Sequence, residues 1–424
     1  MYKKAIVFLL FSPFSYAEST IASANEENPS LTNSTAASSL TNTPQTKPKK
    51  PFPHISWQSE EGNKGIEIGG ALRANYRYED WRGSNYRNPP HLRFDTFRID
   101  TSGHYNDLFF DSGFWFQDHR KYAIDRAFIG YHLSDTSDIQ LGAPIKPFGL
   151  MPYPQFGWSY GIPFFLGFGV NAGLGANYQY HDNNWTLDAA YFPRMMPQGV
   201  RYAPDTGYYG NLKNTLYAPH HQQFNDKRDQ VNLRLTHKFE SGSWHTELGG
   251  SAAASRLYNH KTDDNGTFWA TGLHALVDND PWHLSTQVIR YAYSPKNPEN
   301  TNNSVILMGG NGLTPSYLIP SKATTGAINL ARDVDVSWGQ IKKLRFYNDY
   351  SVMWKDKEGW SDSQMNTLGV QVFAMPVMFW VDLSWAKNAN PWGGALNATG
   401  WTNTQSTGSN DWYFRTNVNI GYYF

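Results

Sequence analysis

Between residues 65 and 81 apolar and polar side chains alternate. Ile66, Ile68, Leu72, Ala74, Tyr76 and Tyr78 share one parity, and Glu67, Arg73, Asn75, Arg77 and Glu79 the other. Successive side chains of a β-strand point to opposite faces, so this segment reads as a strand with one apolar and one polar face. The chain ends the same way. Trp412, Phe414, Val418, Ile420, Tyr422 and Phe424 lie on one face, and Arg415, Asn417 and Asn419 on the other. Helical spacing fits neither segment. Fourteen further segments repeat the pattern, near 91–105, 108–118, 122–133, 138–146, 172–182, 185–192, 228–240, 243–258, 267–278, 281–293, 327–338, 341–354, 364–374 and 377–388, which makes sixteen strands.

The connections alternate in length. Seven are short, among them Asn106-Asp107, Ser241-Gly242 and Met375-Pro376, while others run long, such as 193–227, 294–326 and 389–410. Short turns at one end and long loops at the other predict a transmembrane antiparallel up-and-down β-barrel with about 16 strands, periplasmic turns and extracellular loops. Such a sheet must close, because unpaired backbone groups cost several kcal/mol each in lipid. A secreted β-sandwich also alternates, but its apolar face would be built from Val, Leu and Ile. Here Trp185, Trp244, Trp282, Trp338 and Trp412 sit at strand ends, where an interfacial aromatic girdle belongs.

The N-terminus departs from the pattern. Met1–Ala17 combines Lys3 and Lys4, an apolar run and Ser15-Tyr16-Ala17, as expected of a cleaved signal peptide. Residues 18–64 are rich in Ser, Thr, Asn and Pro and are expected to form a flexible leader. The barrel is expected over 65–424. Composition narrows the rest. With no cysteine among 424 residues, disulfide scaffolds, zinc-thiolate sites and thiol nucleophiles are excluded. The 36 basic and 36 acidic side chains balance, which argues against a nucleic-acid partner. Expected partners are membrane lipids and small solutes or ions.

Sixteen strands enclose an aqueous channel rather than a packed interior. The inward parity carries Arg73, Arg77, Arg98, Arg126, Arg234, Arg345, Arg415, Asp111 and Asp349 as candidate pore-lining residues, with Asp100, Asp188, Glu247, Asp335 and Asp382 on the same face. Asp125 and Arg290 fall on the outward parity. Each therefore lies at the rim or marks a bulge that shifts the register.

The segment 124–150, IDRAFIGYHLSDTSDIQLGAPIKPFGL, resembles the phosphate-selective porin O/P-like family. The resemblance rests on the strand Arg126-Ala127-Phe128-Ile129-Gly130-Tyr131, a short turn, and a second strand ending in Lys146-Pro147-Phe148-Gly149. It implies a sixteen-stranded, often homotrimeric outer-membrane porin whose third extracellular loop folds into the lumen. That loop would be 147–169. It holds no charged residue but offers Phe148, Tyr153, Trp158 and Tyr160 as constriction residues. Aromatic faces in a wet pore suit the C–H faces of sugars or apolar solutes. Any mild anion preference would then come from Arg126 and from Lys146 at the mouth of the loop.

No catalytic, cofactor or metal site is expected. Gly157-Trp158-Ser159-Tyr160-Gly161 matches G-x-S-x-G, but Pro152, Pro154 and Pro163 around it argue against the required strand–turn–helix. His220-His221 lack a suitably spaced third ligand. The expected function is an outer-membrane diffusion porin rather than an enzyme. The alternative is an outer-membrane lipase, protease or adhesin that works through its long loops.

Overall fold

The computed structural model describes residues 53–80, 91–117, 121–197, 200–206, 223–309, 317–389 and 410–424. The signal peptide, residues 18–52 of the leader and His220-His221 lie outside them. Sixteen antiparallel strands form a closed barrel. They are β2 (Lys64–Glu79), β3 (His91–Tyr105), β4 (Leu108–Gln117), β5 (Lys121–Ser134), β6 (Ser137–Ala143), β7 (Leu174–His181), β8 (Trp185–Arg194), β9 (Asn225–Ser241), β10 (Trp244–Asn259), β11 (Asp264–Asn279), β12 (Trp282–Ser294), β15 (Lys322–Trp338), β16 (Ile341–Lys355), β17 (Ser363–Ala374), β18 (Val377–Lys387) and β19 (Trp412–Tyr423). Each pairs with its neighbour, and β19 closes on β2 with Val418 opposite Tyr76. These strands match the sixteen periodic segments one for one. Between β12 and β15 a separate hairpin forms from β13 (Val305–Met308) and β14 (Tyr317–Pro320). One helical turn, α1 (Ile162–Phe165), interrupts the β6–β7 connection.

The surface is turned inside out relative to a water-soluble domain. Leu233, Leu248, Leu273, Ile328, Leu368 and Leu383 are exposed, whereas Asn75, Asn177, Asn232, Asn329, Gln371 and Asn417 are buried inside. Trp185, Trp244, Trp282, Trp338 and Trp412 are all exposed at strand ends. This arrangement buries hydrogen-bonding groups in the interior and offers an apolar belt to lipid.

Strand pairing starts earlier than residue 65. β1 (Ile55–Gln58) pairs with the start of β2, with Trp57 opposite Ile66. On the same strand, Phe424 exchanges both backbone hydrogen bonds with Gly70 (2.6 and 3.0 Å). Ile55–Gln58, within the segment expected as leader, thus extend the sheet at its edge.

The two off-parity charges have different explanations. Between β4 and β5 the register shifts. Gly113 faces Arg126 and Phe114 faces Ile124, so Asp125 is the extra residue of a bulge. Both Asp125 and Arg126 are thereby buried inside. Arg290 does face outward, near the end of β12, where it forms a bidentate pair with Asp356 just past β16.

Candidate solute pathway

The β6–β7 connection enters the barrel and follows its wall. Its backbone is held by side chains from successive strands. Asn232 donates to the Pro147 carbonyl (3.2 Å) and Arg234 to the Gly149 carbonyl (2.9 Å). The Gly149 N–H donates to Ser251 (3.0 Å), and Asn329 donates to the Pro154 carbonyl. Asp349 accepts the N–H groups of Phe156 (3.2 Å) and Gly157 (2.6 Å), and Asp382 accepts that of Ser159 (2.6 Å). The uncharged loop is thus bound through its amides by polar wall residues. This satisfies backbone groups that a buried loop would otherwise leave unpaired.

This grip sets the direction of the side chains. From 156 to 160 burial alternates. Gly157 and Ser159 are buried against the wall, whereas Phe156, Trp158 and Tyr160 remain partly accessible. Tyr153 is also half-buried. Phe148 behaves differently. It is 4% exposed and packs on Phe168, which meets Tyr291 of β12. Phe148 is therefore packing, not lining. Gly157–Gly161 is no nucleophile elbow, since an irregular loop rather than a strand leads into it. The sequence argument against a following helix needs correction, because α1 does begin at Ile162. Pro163 sits in its first turn, where a missing N–H costs nothing.

The tip of the loop also meets β2, two strands beyond β18 in the sheet. The Arg73 guanidinium lies over Trp158 (4.7 Å to the ring centroid) and over Trp115 (4.4 Å). Trp115 packs on Tyr202 at 4.4 Å, and the Tyr202 hydroxyl contacts that of Tyr160. Beside this clamp stands a charge network on β3–β5. Arg98 pairs with Asp100 (2.7 Å), and Arg126 pairs with Asp111 (2.9 Å), Asp125 (3.0 Å) and Asp100 (3.8 Å). Arg73 meets Asp95 at 3.5 Å.

The remaining candidates are distributed around the wall. Arg77 is half-exposed and lies 3.8 Å from Glu79, which Arg415 approaches at 3.9 Å. Arg234 bridges Glu247 (2.8 Å) and Asp188 (3.7 Å). Arg345 is held by Asp333 (2.6 Å) and lies over Phe156. Several candidates do not line open space: Asp111, Arg73 and Arg345 are only 1–2% exposed. Asp349 is buried under the loop it binds. Lys146 is 4% exposed and pairs with Asp205 at 2.9 Å, as Lys227 does. Arg201 donates to the Asp205 and Gly309 carbonyls, so this cluster joins three inward-folded segments. Burial pushes the Asp205 carboxyl up, but Lys146, Lys227 and Arg201 more than reverse this and hold it well below the usual carboxylate range.

No family model matches the chain, and no curated protein matches it. Solved structures do. The outer membrane channel DcaP of Acinetobacter baumannii superposes with TM-score 0.54 at 11% identity, covering 87% of this chain and 99% of that one. OmpT, an outer membrane protein of Vibrio cholerae in its trimer form, gives 0.52 at 13% identity over 85% and 99%. An anion-selective porin from Comamonas acidovorans gives 0.50 at 12% identity over 85% and 100%. The fold is that of outer-membrane porins. At these identities the likeness is one of fold, and none of the matches singles out the phosphate-selective group.

Sequence reasoning missed Trp115, Tyr202 and the Asp205 cluster. Trp115 was visible in principle, since it shares the inward parity of Asp111. Tyr202 and Asp205 lie in a long connection with no periodicity, where nothing local marks a residue as inward.

Proposed function

We propose that this protein is an outer-membrane porin through which small hydrophilic solutes diffuse, with the loop 147–169 narrowing its lumen. The carrying observation is a closed sixteen-stranded barrel, apolar outside and polar inside, with that loop bound to its inner wall by side chains from β9, β10, β15, β16 and β18. The partly accessible Phe156, Trp158 and Tyr160 then border the passage, beside a wall of paired charges. Because those charges are paired, ion selectivity is weak, and no anion bias is assigned to Lys146. Diffusion through such a lumen needs no catalytic group. Homotrimeric assembly is part of this reading, and the mass of the detergent-solubilised particle tests it.

The deciding experiment is reconstitution into planar bilayers. Stepwise conductance increments are expected, with permeation of small sugars in liposome swelling. Folded protein that inserts without conductance would overturn the reading. Orientation is checked on intact cells, where tags within 193–227 or 389–410 should be labelled and one within 18–52 should not.

A further inference from the structure

On the outer face of the barrel three arginines stand in a row. Arg228 of β9 is opposite Arg194 of β8 on one side and opposite Arg256 of β10 on the other. Directly opposed residues of paired strands share a face about 5 Å apart, and like charges so placed repel. A bulge creates the row. Between Ala254 and Arg256 the β9–β10 register shifts, and Asp229 takes a φ of 51°. Lys227 and Gln230 on either side are buried in the interior, so Arg228 and Asp229 both turn outward. Carboxylates engage two of the three arginines. Arg256 Nε donates to Asp229 (2.7 Å), which also accepts the Tyr191 hydroxyl (2.7 Å). Arg228 stacks on Tyr258 (3.6 Å to the ring centroid) and lies 3.7 Å from Asp226, which His260 shares at 3.5 Å. Asp263, next along, is taken by the Tyr258 hydroxyl. The Arg228 Nε has no hydrogen-bond partner. Arg194 is exposed, with neither an ion pair nor a hydrogen bond among the described residues.

The height of the row decides what meets it. β8 has 10 residues, from Trp185 beside a short turn to Arg194. At about 3.3 Å per residue and a tilt of about 40° they rise about 23 Å, close to the height of about 25 Å of a barrel's lipid-facing band. The next outward row toward the middle of the barrel is Tyr191, Val231 and Ala254, all exposed. The arginines thus border the apolar surface at the level of lipid headgroups. Below Arg256, β10 turns only Ala254, Ala252 and Gly250 outward, between Leu233 of β9 and Leu273 of β11. Small side chains between larger ones leave a furrow that ends at Arg256. We propose that Arg194, Arg228 and Arg256 bind the phosphate of an anionic lipid in the adjoining leaflet, with an acyl chain along β10. This rests on the reading of the barrel as a membrane protein. Planar guanidinium groups match phosphate oxygens through paired N–H bonds. A phosphate between Arg194 and Arg228 meets their unused donors and removes the repulsion within the row. A zwitterionic headgroup brings its own cation to the row and gains less.

The test uses the purified full chain in detergent and native mass spectrometry, with phosphatidic acid as the probe and phosphatidylcholine as the zwitterionic control. Wild type should retain phosphatidic acid in preference. The double variant Arg194→Gln with Arg228→Gln should lose this preference, while Arg290→Gln, elsewhere on the outer rim, should keep it. Ala252→Phe, which fills the furrow and leaves the arginines in place, should weaken retention. Heat-modifiable gel mobility checks that each variant is a folded barrel. Equal retention of the two lipids by wild type would overturn the proposal, as would a preference unchanged in the double variant. Displacement of the lipid by an equal concentration of inorganic phosphate would make the ligand a free anion and overturn the lipid assignment. Unchanged retention in Ala252→Phe would overturn the place of the acyl chain. Lipid retention is read without conductance, so its failure is distinct from failure of the channel reading.

Discussion

Arg73, on the barrel wall, places its guanidinium 4.7 Å from the ring centroid of Trp158 at the tip of the inward loop. Arg73 is 2% exposed, so this contact is shielded from water. A cation–π contact is worth about 0.5–1 kcal/mol when exposed and about 2 kcal/mol when desolvated. It ties β2 to a loop whose backbone is held by side chains from β9 to β18.

Arg73→Ala should therefore free the loop tip without unfolding the barrel. The expected result is noisier and larger single-channel conductance, with Trp158→Ala giving the same phenotype. The double variant should add little to either, because the two residues form one contact. Fully additive effects would show that they act separately.

Gly157→Ala tests the opposite side of the loop. Its new Cβ would lie 2.9 Å from Asp349 Oδ2 and from a Tyr347 ring carbon, too close unless the loop shifts. At Gly161 the nearest atom is Ser351 Oγ at 3.2 Å, a milder encounter. Conductance should thus change clearly for Gly157→Ala and less for Gly161→Ala. Equal behaviour would mean that the wall carboxylates do not fix the loop position.

The barrel was legible in the sequence because lipid outside and polar groups inside impose a strict period of two on every strand. That period located all sixteen strands. It failed where backbone geometry departs from it, as at Asp125, which a bulge turns inward beside Arg126. It also could not tell a pore-lining side chain from a buried one. Asp349 and Asn417 share the inward parity, yet both are covered, Asn417 at 0% exposure opposite Asp382. What covers an inward residue is decided by non-periodic loops, and their course depends on distant contacts such as Asp205 with Lys146.

On the outer face, Leu383 is exposed and sits within β18 opposite Leu368 and Thr416. Leu383→Lys should impair assembly, at a cost of about 2–4 kcal/mol if it lies near the bilayer midplane. Leu383→Phe should assemble normally. The measure is the folded fraction after refolding into lipid vesicles. Equal yields for both variants would place this face away from lipid.

Asp205 predicts a pH dependence of the loop cluster. Its folded carboxyl titrates below the unfolded value of about 3.9, so its stabilising contribution is complete above that pH and is lost as pH falls through the folded value. Segment 200–206 should resist external protease from neutral pH down to about 4. Asp205→Asn leaves Lys146, Lys227 and Arg201 buried without their carboxylate, at a cost of about 3–5 kcal/mol, and should expose the segment even at neutral pH. Asp356→Asn, which breaks a half-exposed rim pair with Arg290, should cost about 1 kcal/mol or less. Matching protease sensitivity in the two variants would remove the cluster as the anchor.

Selectivity follows from the charge network beside the loop tip. Arg73, Arg98 and Arg126 stand there against Asp95, Asp100, Asp111 and Asp125, three positive groups facing four negative ones. This network has no positive excess, and the loop 147–169 carries no charge. The wild-type reversal potential across a salt gradient should lie near zero. Removing one member should tilt it, because unit charges about 4 Å apart interact by about 4 kcal/mol at an effective dielectric of about 20. Arg126→Gln leaves three carboxylates without their shared partner and should shift the potential toward cations. Asp100→Asn should shift it toward anions. Both shifts should shrink as salt rises, since screening reaches about 10 Å at 0.1 M and about 3 Å at 1 M. A strongly anion-selective wild type, unchanged by either substitution, would place the narrowest point away from this network.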